Sequence, residues 1–251
     1  MRLLALETAT VEVGVALVVD GEPVATASVR PGRRHAETLH PAVDAVCALA
    51  GIGLSDVDAL AVDVGPGLFT GLRVGIAAAQ AFALALGVPA LACTSLDVLH
   101  HAAGDADGPV AAVVDMRRGE LAWSLRPAPA TGGEPAACGP VELSSPEVLA
   151  GRLAGAGAPV LLAGDGARRY GARLAELAAA AGAPAPLVCG PELGAPPVVA
   201  LALLAAGRRA AGGGGDAGLL EPVYLRPVDA RINWTPRDGP AVAGAGVAGA
   251  G

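Results

Sequence analysis

Three short segments of this 251-residue chain carry residue types that could face a phosphate or its metal ion. Gly65-Pro66-Gly67-Leu68-Phe69-Thr70-Gly71 stands between an apolar run and a long apolar stretch, where backbone amides and a helix dipole can hold a phosphate. Its spacing lacks the lysine of a GxxxxGK[ST] loop and does not match GxGxxG. The competing reading is a tight strand-to-helix turn in which glycine supplies positive φ and Thr70 caps the helix. Upstream, Leu6-Glu7-Thr8-Ala9-Thr10 places a carboxylate and two hydroxyls at the end of an apolar run. Downstream, Gly164-Asp165-Gly166 forms another glycine turn after a short apolar run.

Metal and nucleophile chemistry find less support. His35 and His40 are five apart, about 140° around a helix, so they do not share a face. His100 and His101 are adjacent and diverge; His101 can reach Asp97, but one imidazole and one carboxylate do not make a metal site. These histidines read as solvated or capping residues. Cys47, Cys93, Cys138 and Cys189 form no CxxC pair and read as isolated small apolar thiols. No Ser-His-Asp or Cys-His set can be assembled from the sequence order.

The elements that must position these residues follow from periodicity and turn chemistry. Residues 2–6, 11–19 and 23–29 read as an antiparallel meander with a hairpin turn at Asp20-Gly21. Residues 35–50 read as a helix with Leu39, Val43, Val46, Cys47 and Ala50 on one face, closed by Gly51. Strands are expected at 59–64 and 89–93, the second feeding a helix capped by Thr94 or Ser95. Between them, residues 74–86 hold no charge and one amide, Gln80, so no amphipathic stripe can be drawn. That run falls short of the roughly 20 apolar residues of a membrane span, which leaves burial inside a domain or against a second chain.

The order βββαβαβα resembles the repeat unit of the actin-like fold of sugar kinases, Hsp70 chaperones and acetokinases. The expected fold is therefore α/β, an actin-like (ASKHA, ribonuclease H-like) arrangement of two lobes with mixed five-stranded sheets. The first lobe spans residues 1–105 and the second 106–230, with a helix at 196–210 that can pack back on the first. In the second lobe, strands are read at 110–115, 121–125 and 160–163, and helices at 144–153 and 168–181. Residues 231–251, which hold only Gly, Ala, Val and Pro from Gly239 onward, read as a flexible tail. In actin-like kinases the first hairpin carries an acidic residue facing a metal-bound phosphate. Glu7 has that reading, or it is a strand-end carboxylate satisfied by the turn's amides.

Composition narrows the classes. Aromatics make up 2% of the chain, so its core must be packed by small and branched aliphatic side chains. A net charge of −7 argues against nucleic-acid binding by this chain alone, since phosphate contacts need clustered basic residues. The segment MRLLALETAT enters a strand pattern at once, without a cleavage signal, which gives a cytoplasmic expectation.

MRLLALETAT, RRHAETLHP, GPGLFTGLRVGIAAAQAFALAL, DMRRGELAW and EPVYLRP occur in this order between residues 1 and 227. As an ordered set they resemble the TsaB (YeaZ) family, partner subunits in the bacterial formation of N6-threonylcarbamoyladenosine in tRNA. The resemblance implies a paralogue of TsaD, the subunit that transfers the threonylcarbamoyl group. TsaD-like proteins carry a metal-binding His-x-x-x-His pair whose positions fall here on Ser95 and Leu99, so the metal site is implied to be absent. It further implies a non-catalytic dimerisation and activation subunit, not an enzyme, serving tRNAs that read ANN codons. The implied partners are a TsaD-like paralogue and a TsaE-like ATPase, with a homodimer in isolation, tRNA reached only through the complex, and no membrane. No cofactor is expected, except for ATP or ADP at the interface with the partner. The interface is expected at His35, Leu39, Val43 and Val46 of the first helix and at Arg73, Val74, Ala77, Ala78, Ala81, Phe82 and Ala85 of the second. Glu7, Thr8, Gly65, Gly67 and Gly164 are the positions left for a nucleotide. The alternative is an enzyme of the same fold, either a kinase-like phosphotransferase with Asp63 or Asp115 as acid-base group, or a metallopeptidase.

Overall fold

The structure, a computed structural model, describes residues 1–226 apart from 33, 105, 130–136 and 214. The expected tail at 231–251 lies outside the described residues. Strands β1 (Arg2–Glu7), β2 (Val13–Val19) and β3 (Glu22–Val29) form an antiparallel meander. Asp20 and Gly21 turn the second hairpin, between β2 and β3, with φ of 51° and 88°, the left-handed pair that matches strand twist. Helix α1 (His35–Ala50) ends at Gly51, whose φ is 68°, and leads to β4 (Ala59–Asp63), which pairs parallel to β1. Helix α2 (Phe69–Leu86) crosses to β5 (Ala90–Cys93), parallel to β4. The sheet order is β3-β2-β1-β4-β5; parallel neighbours require such crossovers.

Helix α3 (Ser95–Ala102) enters the second lobe, capped by the Thr94 hydroxyl, which accepts from the Asp97 amide. Strands β6 (Val110–Asp115), β7 (Leu121–Arg126) and β8 (Glu142–Ser144) run antiparallel, and β9 (Leu161–Ala163) and β10 (Leu187–Val188) add parallel strands on the other side of β6. The order β10-β9-β6-β7-β8 repeats the first sheet's plan of a meander plus two parallel strands. Helices α4 (Pro146–Ala154), α5 (Asp165–Ala180) and α6 (Val198–Ala210) complete the chain's α-helices among the described residues.

Alternation along the strands distributes the core. Leu4, Leu6, Val15 and Leu17 face α1 and α2, while Leu3, Ala5, Ala16 and Val18 face α6 on the opposite side. In the second sheet Ala111 and Val113 face α4 and α5, and Ala112 and Val114 face Leu96 and Leu99 of α3. Helix α6 thus returns from the second half of the chain to cover the first sheet, and α3 packs against both α6 and β6.

Three of the differences from the sequence expectation lie at helix starts. The segment read as a helix from 144 begins with Ser144 paired in β8, and the helix starts at Pro146, where a proline suits the first turn. Helix α5 starts at Asp165 rather than 168, because Gly164, at φ 111°, turns the chain sharply into it. Thr70 does not cap α2: the N-cap is Leu68, with no side-chain cap.

Candidate functional site

The glycine loop lies directly against the turn after β1. Thr8 Oγ1 donates to the Gly71 carbonyl at 2.8 Å, and the Leu68 amide donates to the Ala9 carbonyl at 2.7 Å. A Cβ on Gly67 would stand 2.2 Å from the Ala9 oxygen, on Gly71 2.0 Å from the Thr8 oxygen, and on Gly75 2.2 Å from Thr8 Oγ1. These glycines serve close backbone approach, and the first hairpin's own atoms fill the space beside the loop. Two amides here are likewise engaged: Gly65 N–H donates to Asp63 Oδ1 at 2.7 Å and Ala9 N–H to Glu7 Oε1 at 2.8 Å.

Glu7 and Asp63 are fully enclosed beneath this contact, at 2% and 0% exposure. Ser95 Oγ stands 2.8 Å from Asp63 Oδ1 and 2.9 Å from the Pro66 carbonyl. The remaining oxygens, Glu7 Oε2 and Asp63 Oδ2, have no other polar partner, and the two carboxyls interact directly. Two enclosed carboxyls this close favour a neutral Glu7 that keeps its proton toward the Asp63 carboxyl. Burial first, then the Asp63 charge, pushes the Glu7 carboxyl well above its ordinary value; burial also raises Asp63.

The expected nucleotide positions therefore require correction. Glu7, Thr8, Gly65 and Gly67 hold the fold together rather than facing a ligand. Gly164 donates its amide to the Leu193 carbonyl at 2.7 Å, and a Cβ there would stand 2.2 Å from the Val113 oxygen. An opening of about 270 Å³ beside β2 and the start of α6 is lined by Glu7, Glu12 and Glu192 with no basic residue, and Val198 presses on Gly14 within it. The opening therefore offers no basic side chain to a bare phosphate chain. Neither acid-base nominee sits in a cleft: Asp63 is buried, and Asp115 holds Arg117 and Arg169.

The helix faces also sort differently from expectation. His35, Leu39, Val43 and Val46 are 8%, 0%, 2% and 0% exposed, which makes them the side of α1 packed on its own sheet and not a surface for a second chain. The His35 Nε2–Thr10 carbonyl contact of 2.9 Å fixes that end of α1. In α2, Leu72, Ile76, Ala79 and Ala83 point inward, and Val74, Ala78 and Phe82 are half-buried against the first core. Phe82 meets His40 edge-on at 5.4 Å. Phe69, Arg73, Ala77, Ala81, Leu84 and Ala85 face outward, with Leu84 85% exposed. Their spacing of three and four draws one line along the helix. Counted from Phe69, α2 is long and apolar enough to cross a membrane by length and composition alone; in the fold it is packed against β4 and α1, and 33% of it is buried.

The sequence reading missed Tyr224, which the segment after α6 lays against α2. Gln80 Nε2 donates to the Leu220 carbonyl at 3.2 Å and the Val223 amide to the Val64 carbonyl at 2.7 Å. The available signal was compositional, since Tyr224 is one of two tyrosines and Phe69 one of two phenylalanines.

Ser95 and Leu99 offer no metal chemistry: the serine is committed to Asp63 and Leu99 is fully buried. His100 is not solvated as expected but buried, 2.9 Å from Ser124 Oγ, and burial together with Arg126 lowers its pKa to about 4. Among the described residues no group of three or more His, Cys, Asp or Glu could hold a metal ion.

Two sheets of one plan, with helices exchanged between them, define a two-lobed actin-like protein whose anion loop is closed and whose second helix is apolar on its outer side. Component A of (R)-2-hydroxyglutaryl-CoA dehydratase from Acidaminococcus fermentans has the same fold, with a TM-score of 0.50 at 11% identity over 84% of this chain and 99% of that one. YeaZ from Pseudomonas aeruginosa is far nearer, with a TM-score of 0.73 and 33% identity over 89% of this chain and 99% of its own. The family described as TsaD, tRNA N6-adenosine threonylcarbamoyltransferase, matches residues 29–131. The tRNA threonylcarbamoyladenosine biosynthesis protein TsaB of Escherichia coli is 38% identical over 126 residues, 49% of this chain. That match spans about half the length of the curated relative, 54%. The chain belongs to the TsaB (YeaZ) family.

Proposed function

We propose that this chain is a non-catalytic pairing subunit in the formation of N6-threonylcarbamoyladenosine in tRNAs that read ANN codons. It pairs with a TsaD-like catalytic paralogue, is joined by a TsaE-like ATPase in the cytoplasm, and forms a homodimer through the same face when alone. The observation that carries this reading is the outward line of α2, where Phe69 and Leu84 are 47% and 85% exposed on either end of a row of alanines. Burying a side chain of that size contributes roughly 1.5–3 kcal/mol, and the alanines let a second helix approach closely. The closed glycine loop and the serine and leucine at the paralogue's histidine positions support the non-catalytic part. Any ATP or ADP at the joint surface is held by the partner's half. The alternative enzyme readings, phosphotransferase or metallopeptidase, have no supporting set of side chains among the described residues.

Co-expression with the paralogue followed by gel filtration tests the pairing. Ala81→Arg places a charge on the outer face of α2, where it leaves the fold intact and abolishes the heterodimer. Undiminished pairing would remove this surface from the proposal, and tRNA modification that survives omission of the chain would remove the function.

A further inference from the structure

The turn joining β6 to β7 holds Arg117 and Arg118 at φ of 62° and 56°, followed by Gly119 at 80°. Left-handed positions in hairpins ordinarily take Asn and Gly, and L side chains adopt them at a cost. Here two arginines occupy them. Beneath the turn, Asp115 is 3% exposed and its Oδ2 accepts from Arg117 Nη1 at 2.9 Å and from Arg169 Nη1 of α5 at 2.8 Å. One buried carboxylate thus holds two guanidiniums side by side while their side chains remain 44% and 53% exposed. Arg226, paired with Glu120, donates to the Arg117 carbonyl at 3.1 Å and ties the segment after α6 to the turn. Arg118 is exposed and has no ion pair among the described residues. Three guanidiniums therefore share Asp115 and Glu120, Arg118 adds a fourth, and with Asp165, whose Oδ1 accepts from the Asp115 amide, the cluster still carries one more arginine than carboxyl groups in a chain whose net charge is −7.

We infer that this arginine cluster docks the phosphate backbone of RNA, and that the chain supplies part of the tRNA contact of its assembly. The inference rests on the proposed role in tRNA modification. Guanidinium forks match phosphate oxygens in pairs. Strain maintained in a turn points to a task beyond folding. A protein partner would more readily use an apolar anchor with charges at its rim, and this patch is charged at its centre. The acidic remainder of the chain explains why the contact belongs to the assembly and not to an autonomous RNA binder.

The test is fluorescence anisotropy of an unmodified tRNA transcript with the assembly of full chain and paralogue, from about 50 to 200 mM salt, the range over which phosphate contacts weaken. Arg118→Glu is expected to weaken affinity roughly 3- to 10-fold and to lower the log–log salt slope by about one. Arg118→Gly removes the charge but relaxes the backbone, so affinity falls while the melting temperature holds or rises. Unchanged affinity and slope in both variants, with the assembly intact by gel filtration, overturns this inference and leaves the pairing proposal standing. Loss of ATPase recruitment with tRNA affinity unchanged overturns it in favour of an acidic protein partner. If the unmodified chain does not pair with its paralogue, the pairing proposal fails by itself. The same titration on the chain alone then decides: salt-sensitive binding reduced by Arg118→Glu supports the cluster, and binding indifferent to it does not.

Discussion

Arg73 Nε donates to the Tyr224 hydroxyl at 3.2 Å, and the Arg73 guanidinium lies 3.8 Å over the Phe69 ring. The Phe69 and Tyr224 rings are 5.4 Å apart, so α2 and the segment after α6 present one platform at the N-terminal end of the proposed pairing face. Tyrosine and arginine with a rigid aromatic neighbour are the side chains on which interface energy concentrates. Tyr224→Ala should weaken heterodimer formation about tenfold, or about 1.4 kcal/mol. Tyr224→Phe keeps the ring and loses far less. Because Tyr224 is 39% exposed, neither change should move the melting temperature appreciably. Calorimetric titration of the three proteins against the paralogue reads this directly; equal affinities would place the platform outside the interface.

The contact between α2 and the first hairpin makes a second, more local prediction. Alanine normally strengthens a helix relative to glycine by about 1 kcal/mol. At Gly71 and Gly75 the added methyl meets Thr8 instead, at 2.0 Å from its carbonyl oxygen and 2.2 Å from its hydroxyl. Gly71→Ala and Gly75→Ala should each destabilise the protein by about 1–3 kcal/mol in urea melts. The two differ in rescue. Thr8→Ala removes the hydroxyl that obstructs Gly75 and should recover part of that loss, but it leaves the carbonyl that obstructs Gly71. Equal rescue at both positions would contradict the geometry.

Why some of this was legible and some was not follows from the range of each signal. The helix at 35–50 and its closing Gly51 stood out because periodicity and a left-handed cap are local. The same periodicity says that Leu39, Val43 and Val46 are buried without saying by what, and their own sheet proved to be the answer. Helix α2 has no polar side to orient it, so the expected interface mixed Arg73, Ala77 and Ala81 of the outer line with Val74, Ala78 and Phe82, which only the placement of Leu72, Ile76 and Ala79 on the core shows to be half-buried. The pairing of Glu7 with Asp63, and of Arg226 with the turn at 117–120, joins residues far apart in sequence with no local pattern to announce it. Gly65, Gly67 and Gly71 read equally as a phosphate cradle or a tight turn because close backbone approach to a hairpin and to an anion call for the same residue.

The proton held between Glu7 and Asp63 makes stability depend on pH in a definite direction. Burial, then the Asp63 charge, raises the native Glu7 carboxyl well above 4.5, and burial raises Asp63 in the same sense. Over the range above the unfolded value of about 4.3 the native state keeps a proton that the unfolded chain has released. Stability is therefore fully present below that value and is lost as pH rises through the native pKa. Glu7→Gln replaces the proton with an amide: its oxygen still accepts from the Ala9 amide, and its nitrogen can donate to Asp63 Oδ2. Thermal melts from about pH 5 to 9, which lies above the unfolded carboxyl value, should show a steeper decline for the unmodified protein. Glu7→Gln should give a flatter curve and the higher melting temperature at the alkaline end. Parallel curves would mean that no proton is held between the two carboxyls.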